Sequence, residues 1–305
     1  MRGLQLIPYD TNINFVGIRR YVYSISIAII LLCGWSLAFK GLNYGIDFKG
    51  GFLLEVRTKD KADIASMRTQ LETLKLGEVK LQEFGSDRDI MIRIEKQPGG
   101  EKTQAVALQK IKKQLGNELE YRRVETVGGK VSSDLVENGL WALGFALIGM
   151  LLYIWVRFEW HFGLCGILAL AHDVIVVLGF YSLTGHEFKE TAFIAILTTI
   201  GYSINDSVVI YDRIRDNLRK YKKMPIEELI NQSTNETLSR TIITVATTAI
   251  SLLALYLFGG SEISSFSLPI LIGIVFGSYS SIFVSANLLL FFDIRKTMKE
   301  KEVIA

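Results

Sequence analysis

Six long apolar blocks constrain this chain more than any other feature. They fall at 21–39, 138–156, 162–183, 192–211, 242–258 and 266–292. About 20 helical residues cross a hydrocarbon core, so each block is close to the length of a span or exceeds it. Inside lipid a spanning segment must satisfy its own backbone polar groups, and continuous blocks of this length do so as helices. The chain has a mean hydropathy of +0.30 although 21% of it is charged, which requires apolar blocks separated by polar ones. No small-residue cleavage site follows the block at 21–39, so it reads as a retained first helix. In the last block Pro269 falls near the start, where its missing N–H is tolerated.

Lysine and arginine in the short loops set the expected orientation. Arg2, Arg19 and Arg20 precede the first helix. Arg213, Arg215, Arg219, Lys220, Lys222 and Lys223 follow the fourth, and Arg295, Lys296, Lys299 and Lys301 follow the sixth. The loop at 184–191 has one lysine, Lys189, and the loop at 259–265 has none. Segments 1–20 and 293–305 are therefore expected in the cytoplasm, and 40–137 outside. The basic stretch 212–223 is expected at anionic lipid headgroups.

Segment 40–137 reads as one soluble domain. Residues 52–58 alternate around Leu54 and Val56. Helical spacing follows at 63–76 (Ile64, Met67, Leu71, Leu74), then strands at 79–84 and 90–95 joined by a turn at 85–87. A second helix is expected at 101–115 and a last strand at 119–127. The order is that of a ferredoxin-like βαββαβ unit. It holds no cysteine or histidine and no evident nucleophile–base pair, which favours binding over catalysis. The whole reads as a membrane all-α six-helix bundle with an α+β ferredoxin-like extracytoplasmic domain.

Ionisable residues at bilayer depth are costly and mark functional sites. Asp206 stands 14 residues past Ala192 in the fourth block, about 21 Å along a helix and in its cytoplasmic third. Thr199 and Ser203 share its helical face, and Asn205 precedes it. Arg240, just before the fifth block, is expected at a similar height, with Thr244, Thr247 and Ser251 continuing its face. It can pair with ionised Asp206, or be an ordinary snorkelling arginine. His172 and Asp173 fall near the midplane of the third block, as a proton relay or a buried hydrogen-bonded pair. Neighbours at i and i+1 do not face each other on a helix, so both are not expected to enter one cavity. Gly273, Gly277, Ser281 and Ser285 form a small-residue ridge on the sixth block, suited to close helix packing.

Other chemistries find little footing. Cys33 and Cys165 lie in apolar blocks without metal-ligand spacing, so neither a disulfide framework nor a zinc site is expected. A net charge of +3 implies no nucleic-acid-binding face. The glycines at 45–51 (GIDFKGG) lack the phosphate-loop pattern and read as a turn into the first strand. No cofactor and no enzymatic activity are expected.

Taken in order, five motifs carry a resemblance: GIDFKGG at 45–51, AHD at 171–173, GYSINDSVVIYDRIR at 201–215, LSRT at 238–241 and LFGG at 257–260. With them the chain resembles the SecD/SecF family of protein-export membrane subunits, in the resistance-nodulation-division superfamily. The resemblance implies half of an RND-type transporter in the bacterial inner membrane, with a SecD partner supplying six further helices. It also implies work beside the SecYEG channel and accessory translocase subunits, using proton or sodium motive force to promote export of an unfolded polypeptide. In the family, Asp206 and Arg240 match the ion-transfer site, completed by an acid of the partner. His172 and Asp173 match a second family motif. The alternatives are an RND-type half-transporter for small molecules or lipids and a purely structural adaptor.

Overall fold

The computed structural model describes residues 11–295 apart from 78, 85, 100, 117–118 and 128, and describes 84, 101, 129–132 and 261–262 by backbone alone. Gly85 of the expected turn, together with Arg2, Lys296, Lys299 and Lys301, lies outside the described residues. In chain order the elements are α1 (Arg19–Phe39), β1 (Asn43–Tyr44), α2 (Ile46–Lys49), β2 (Gly51–Arg57), α3 (Ile64–Glu72), β3 (Val79–Phe84), β4 (Ser86–Glu95), α4 (Glu101–Leu115) and β5 (Glu120–Val127). They continue with α5 (Gly129–Arg157), α6 (Trp160–Thr184), β6 (Glu187–Phe188), α7 (Thr191–Lys220), α8 (Ile226–Phe258), α9 (Gly260–Tyr279), a π-helical turn (Ser280–Ser285) and α10 (Ala286–Leu288). Among the described residues, six helical segments are long and apolar enough to cross a membrane: α1, most of α5, α6, α7, α8 and Ile263–Phe291. The chain divides into a helical unit and an α+β unit.

In the α+β unit the strands lie in the order β3-β4-β2-β5, all antiparallel. Alternation sends Phe52, Leu54 and Val56 to one face, where they meet Ile90, Ile92 and Ile94 and the helix residues Met67, Leu71, Ala107 and Ile111. Asp63 caps α3 by accepting the Ser66 N–H at 3.0 Å. Gly50 and Gly51 have φ of 72° and 129°, and a Cβ on Gly51 would stand 2.3 Å from the Ile94 carbonyl oxygen. Only glycine fits where the strand starts. The preceding residues clasp a loop: the Gly45 N–H donates to Phe188 O at 2.9 Å, and the Glu190 N–H to Asp47 Oδ2 at 3.2 Å.

α5 starts at Gly129, before its apolar block at 138, and three further helices depart from their expected ends. α7 continues through the basic stretch to Lys220, and α8 starts at Ile226, well before residue 242. A polar helix start escapes a search for apolar runs. It is held instead by side chains: Arg213 Nε donates to Glu236 Oε2 at 2.6 Å and Asn217 Nδ2 to Ser233 Oγ at 2.9 Å. Glu227 and Glu228 in its first turn suit the positive end of the helix dipole. α9 starts at Gly260, so Pro269 is interior rather than near the start. Proline offers no N–H to the Ser265 carbonyl four residues back, and His186 Nε2 donates to it at 2.8 Å.

α7 and α9 meet along a seam that matches the ridge read from sequence. A Cβ on Gly273 would stand 1.9 Å from Thr199 Oγ1, and one on Gly277 3.2 Å from Ser203 Cβ. Further along, Ser281 Oγ and Ser207 Oγ are 2.9 Å apart, and Ser285 Oγ and Tyr211 OH 2.5 Å. Both helices contribute every fourth residue, so small side chains and hydroxyls face each other over four turns. α1 lies as closely on α6, where a Cβ on Gly179 would stand 2.3 Å from Cys33 Sγ. Before α1, the Phe15 N–H donates to Asn231 Oδ1 at 2.7 Å, and Phe15 packs among Phe162, Tyr211, Leu229 and Leu289.

Candidate ion-transfer site

Three bonds fix the register of the antiparallel pair α7 and α8. Tyr202 OH lies 3.0 Å from Thr248 Oγ1, and the Asn217–Ser233 and Arg213–Glu236 bonds continue the match toward Lys220. That register sets Asp206 level with Thr244 and sets Arg240 level with Ile210. Arg240 therefore stands about one turn, roughly 6 Å, nearer the basic end than Asp206. Sequence spacing expects the two at a similar height; the register places them one turn apart, with Arg240 inside α8, which starts at Ile226, rather than just before it.

Asp206 is 3% exposed and accepts a hydrogen bond from Ser278 Oγ at 2.8 Å. Arg240 is exposed, and neither a hydrogen bond nor an ion pair joins it to Asp206 among the described residues. Its charge still acts on the carboxylate through space. The carboxylate thus turns toward α9 while the cation one turn away faces outward. Around them, Asn205 is exposed, Thr244 Oγ1 donates to the Arg240 carbonyl at 2.9 Å, and Thr199 belongs to the α9 seam.

Ser203, expected to support Asp206, serves the other buried acid. Ser203 Oγ donates to Asp173 Oδ2 at 2.5 Å, and Ser280 Oγ donates to the same oxygen at 2.9 Å. His172 Nδ1 lies 3.0 Å from Asp173 Oδ1. The two neighbours, not expected to enter one cavity, are hydrogen-bonded to each other, as in the buried-pair reading. Two serines from other helices draw the short aspartate arm inward, and the histidine ring folds back over it. His172 and Asp173 are 3% and 0% exposed. Ser278 and Ser280 were missed in the sequence, although the hydroxyl cluster at 278–281 inside an apolar helix is the signal that points to them. No group of three His, Cys, Asp or Glu residues is placed to hold a metal among the described residues.

Among the described residues, six helices long and apolar enough to span, Asp173 and Asp206 buried among them, and an α+β unit inserted after the first helix define a multi-pass membrane subunit with buried acids. Residues 107–295 match the family described as protein export membrane protein SecD/SecF, C-terminal, and residues 35–62 match the SecD/SecF GG motif. The chain belongs to the SecD/SecF family, whose members are translocase subunits and not enzymes. It is 47% identical to the protein translocase subunit SecF of Rickettsia felis over 301 residues, 97% of each chain. It is equally similar to that of Rickettsia bellii, 47% over 300 residues, covering 97% of this chain and 98% of the relative. The crystal structure of SecDF from Thermus thermophilus superposes with a TM-score of 0.83 at 36% identity, over 94% of this chain and 39% of that one. SecDF in its super-membrane-facing form gives 0.67 at 35% identity, over 99% and 41%. The chain thus spans about two-fifths of the SecDF chains it matches.

Proposed function

We propose that this chain is the SecF-type half of an ion-driven export machine in the bacterial inner membrane. With a SecD partner it uses proton or sodium motive force to promote release of an unfolded polypeptide from the SecYEG channel. Asp206 is the ion-binding group and Arg240 its counter-charge. The observation that carries this reading is the pairing of a buried acid, held by one serine, with an exposed arginine one turn away. An arginine facing lipid at such a site is costly, so a second protein wall is required. A SecD partner supplies it, together with further groups for the site.

Ion entry couples to work as follows. Neutralising Asp206 removes its attraction to Arg240 and frees α8 to shift against α7. One charge crossing 100 mV supplies about 2.3 kcal/mol for that shift. The α+β unit is read as a ferredoxin-like extracytoplasmic domain, supported by its strand order and two helices, and it grips and releases the emerging chain. The basic end of α7, the start of α8 beside it and both termini face the cytoplasm, supported by the arginines and lysines of α7 and of the segments flanking the first and last spans. The test is gradient-driven export in vesicles carrying the full complex. Asp206→Asn is expected to abolish the dependence on the ion gradient while Asp206→Glu keeps part of it. Full gradient-dependent export by Asp206→Asn overturns the reading.

A further inference from the structure

The export reading uses Asp206 and leaves a second buried acid without a task. Asp173 is enclosed by three helical segments. Its Oδ2 already accepts two hydroxyl donors, Ser203 Oγ and Ser280 Oγ. A proton on Asp173 therefore resides on Oδ1, where the facing atom is His172 Nδ1 at 3.0 Å. A bond between those two atoms holds one proton, on either oxygen or nitrogen. On the far side of the ring, His172 Nε2 is buried and has no hydrogen-bond partner among the described residues. A buried ring nitrogen without a partner is expensive and calls for a ligand or a task.

We propose that His172 and Asp173 form a second proton-binding centre, separate from Asp206, loaded from water through His172 Nε2. In the empty state Asp173 is a carboxylate and His172 is neutral with its proton on Nδ1. A proton arriving from water bonds to Nε2, the Nδ1–H bond breaks, and that proton bonds to Asp173 Oδ1. The ring ends neutral in its other tautomer and the acid ends neutral, so the centre has taken up one proton and no other reactant is consumed. Histidine suits this exchange because its two nitrogens carry the proton alternately.

The groups around the centre leave the proton free to move. From α7 come Ser203 and, further along, Asp206, whose carboxylate is bonded to Ser278 instead. From the last helix come Ser280 and Tyr279. The Tyr279 ring lies 6.3 Å from that of His172, and its hydroxyl is engaged by Ser26 Oγ and the Val22 carbonyl of α1. α1 brings Cys33, which packs against Gly179, two turns from His172. Among the described residues, the side chains hydrogen-bonded to Asp173 are Ser203, Ser280 and His172, of which His172 alone is titratable. The two acids are read by one stretch of helix, since Ser278 donates to Asp206 and Ser280, two residues on, donates to Asp173. A π-helical turn begins at Ser280 itself, and such turns inside α-helices recur at functional sites. Loading either acid thus alters the hydrogen bonding of the same turn.

This inference rests on the ion-driven reading, and its test separates the two. The full complex in lipid is titrated while infrared difference spectra record protonated carboxyl groups. Asp206→Asn is expected to lose one carboxyl signal and keep another. The remaining signal is expected to vanish when Asp173→Asn is added and to shift when His172→Gln or Ser280→Ala is added. If Asp206→Asn leaves no titrating carboxyl signal, or if the remaining signal ignores all three additions, the second centre is refuted. Should Asp173→Asn fail to assemble, the spectra of His172→Gln and Ser280→Ala decide. If instead Asp206→Asn removes no signal, the assignment of Asp206 fails while the second centre keeps its own.

Discussion

The two flanks of α7 are built in opposite ways. Toward α9 it meets a ladder of glycines and hydroxyls in which Gly273, Gly277, Ser281 and Ser285 each face a residue of α7 at van der Waals or hydrogen-bond distance. Toward α8 it makes a few polar bonds and leaves Asn205, Arg240, Thr247 and Ser251 exposed. The spans reflect this: that of the last helix is 61% buried and that of α8 is 11% buried. Exposed apolar side chains on a membrane helix meet lipid comfortably, but an exposed arginine does not. The α9 seam is complete within one chain. The α8 side leaves Arg240 uncovered within one chain.

The largest effect is expected at the closed seam. Gly273→Ala drives a methyl group against Oγ1, Cβ and Cγ2 of Thr199. Overpacking of this kind costs about 1–3 kcal/mol, read as a lower melting temperature and a lower level in membranes. A smaller loss is expected for Ser281→Ala, which removes the bonds to Ser207 Oγ and the Ser203 carbonyl. Interhelical hydrogen bonds in membranes average about 0.6 kcal/mol. A stability change as large as that of Gly273→Ala would show that hydrogen bonding, not close approach, holds the seam.

Acid separates the seams from the α+β unit. There Arg57 Nε and Nη2 donate to the two oxygens of Asp89 at 2.7 Å, Ser86 Oγ donates as well, and Arg122 lies nearby. The Arg57 hydrogen bonds hold the Asp89 carboxyl well below the usual carboxylate range. The folded value is lowered, so this contribution is fully present above about pH 4 and fades as pH falls through the folded value. Asp89→Asn is therefore expected to reduce the stability of the α+β unit at neutral pH and to flatten its acid limb. Acid unfolding followed on the intact protein checks this. The smallest effect belongs to the open side. Thr247→Val in the chain alone should change stability by no more than about 0.5 kcal/mol, as for other exposed positions.

Much of this contrast was legible beforehand. Block length fixes six helices, and a spacing of four announces the ridge from Gly273 to Ser285. Alternation around Leu54 and Val56 and the spacing of Met67 and Leu71 foretell the βαββαβ order. What escaped depended on side chains of other helices. The first half of α8 carries Glu227, Glu228, Asn231 and Glu236, which break the apolar pattern, and its helix is secured by Asn217 and Arg213 of α7. That hidden half places Arg240 inside the helix rather than just before it. The turn of Asp173 toward His172 depends on Ser203 and Ser280, which are distant in sequence. Spacing along one helix carries no trace of either.

The most direct measurement asks what covers the exposed polar side of α8. A cysteine is placed at Thr247, and for comparison at Leu152 on the apolar exposed face of α5, in membranes containing the SecD partner; Cys33 and Cys165 are buried. Short-range cross-linking is then followed. The account predicts that Thr247→Cys joins the partner chain and that Leu152→Cys does not. A Thr247→Cys chain that stays uncross-linked and is freely labelled from the lipid phase would contradict it.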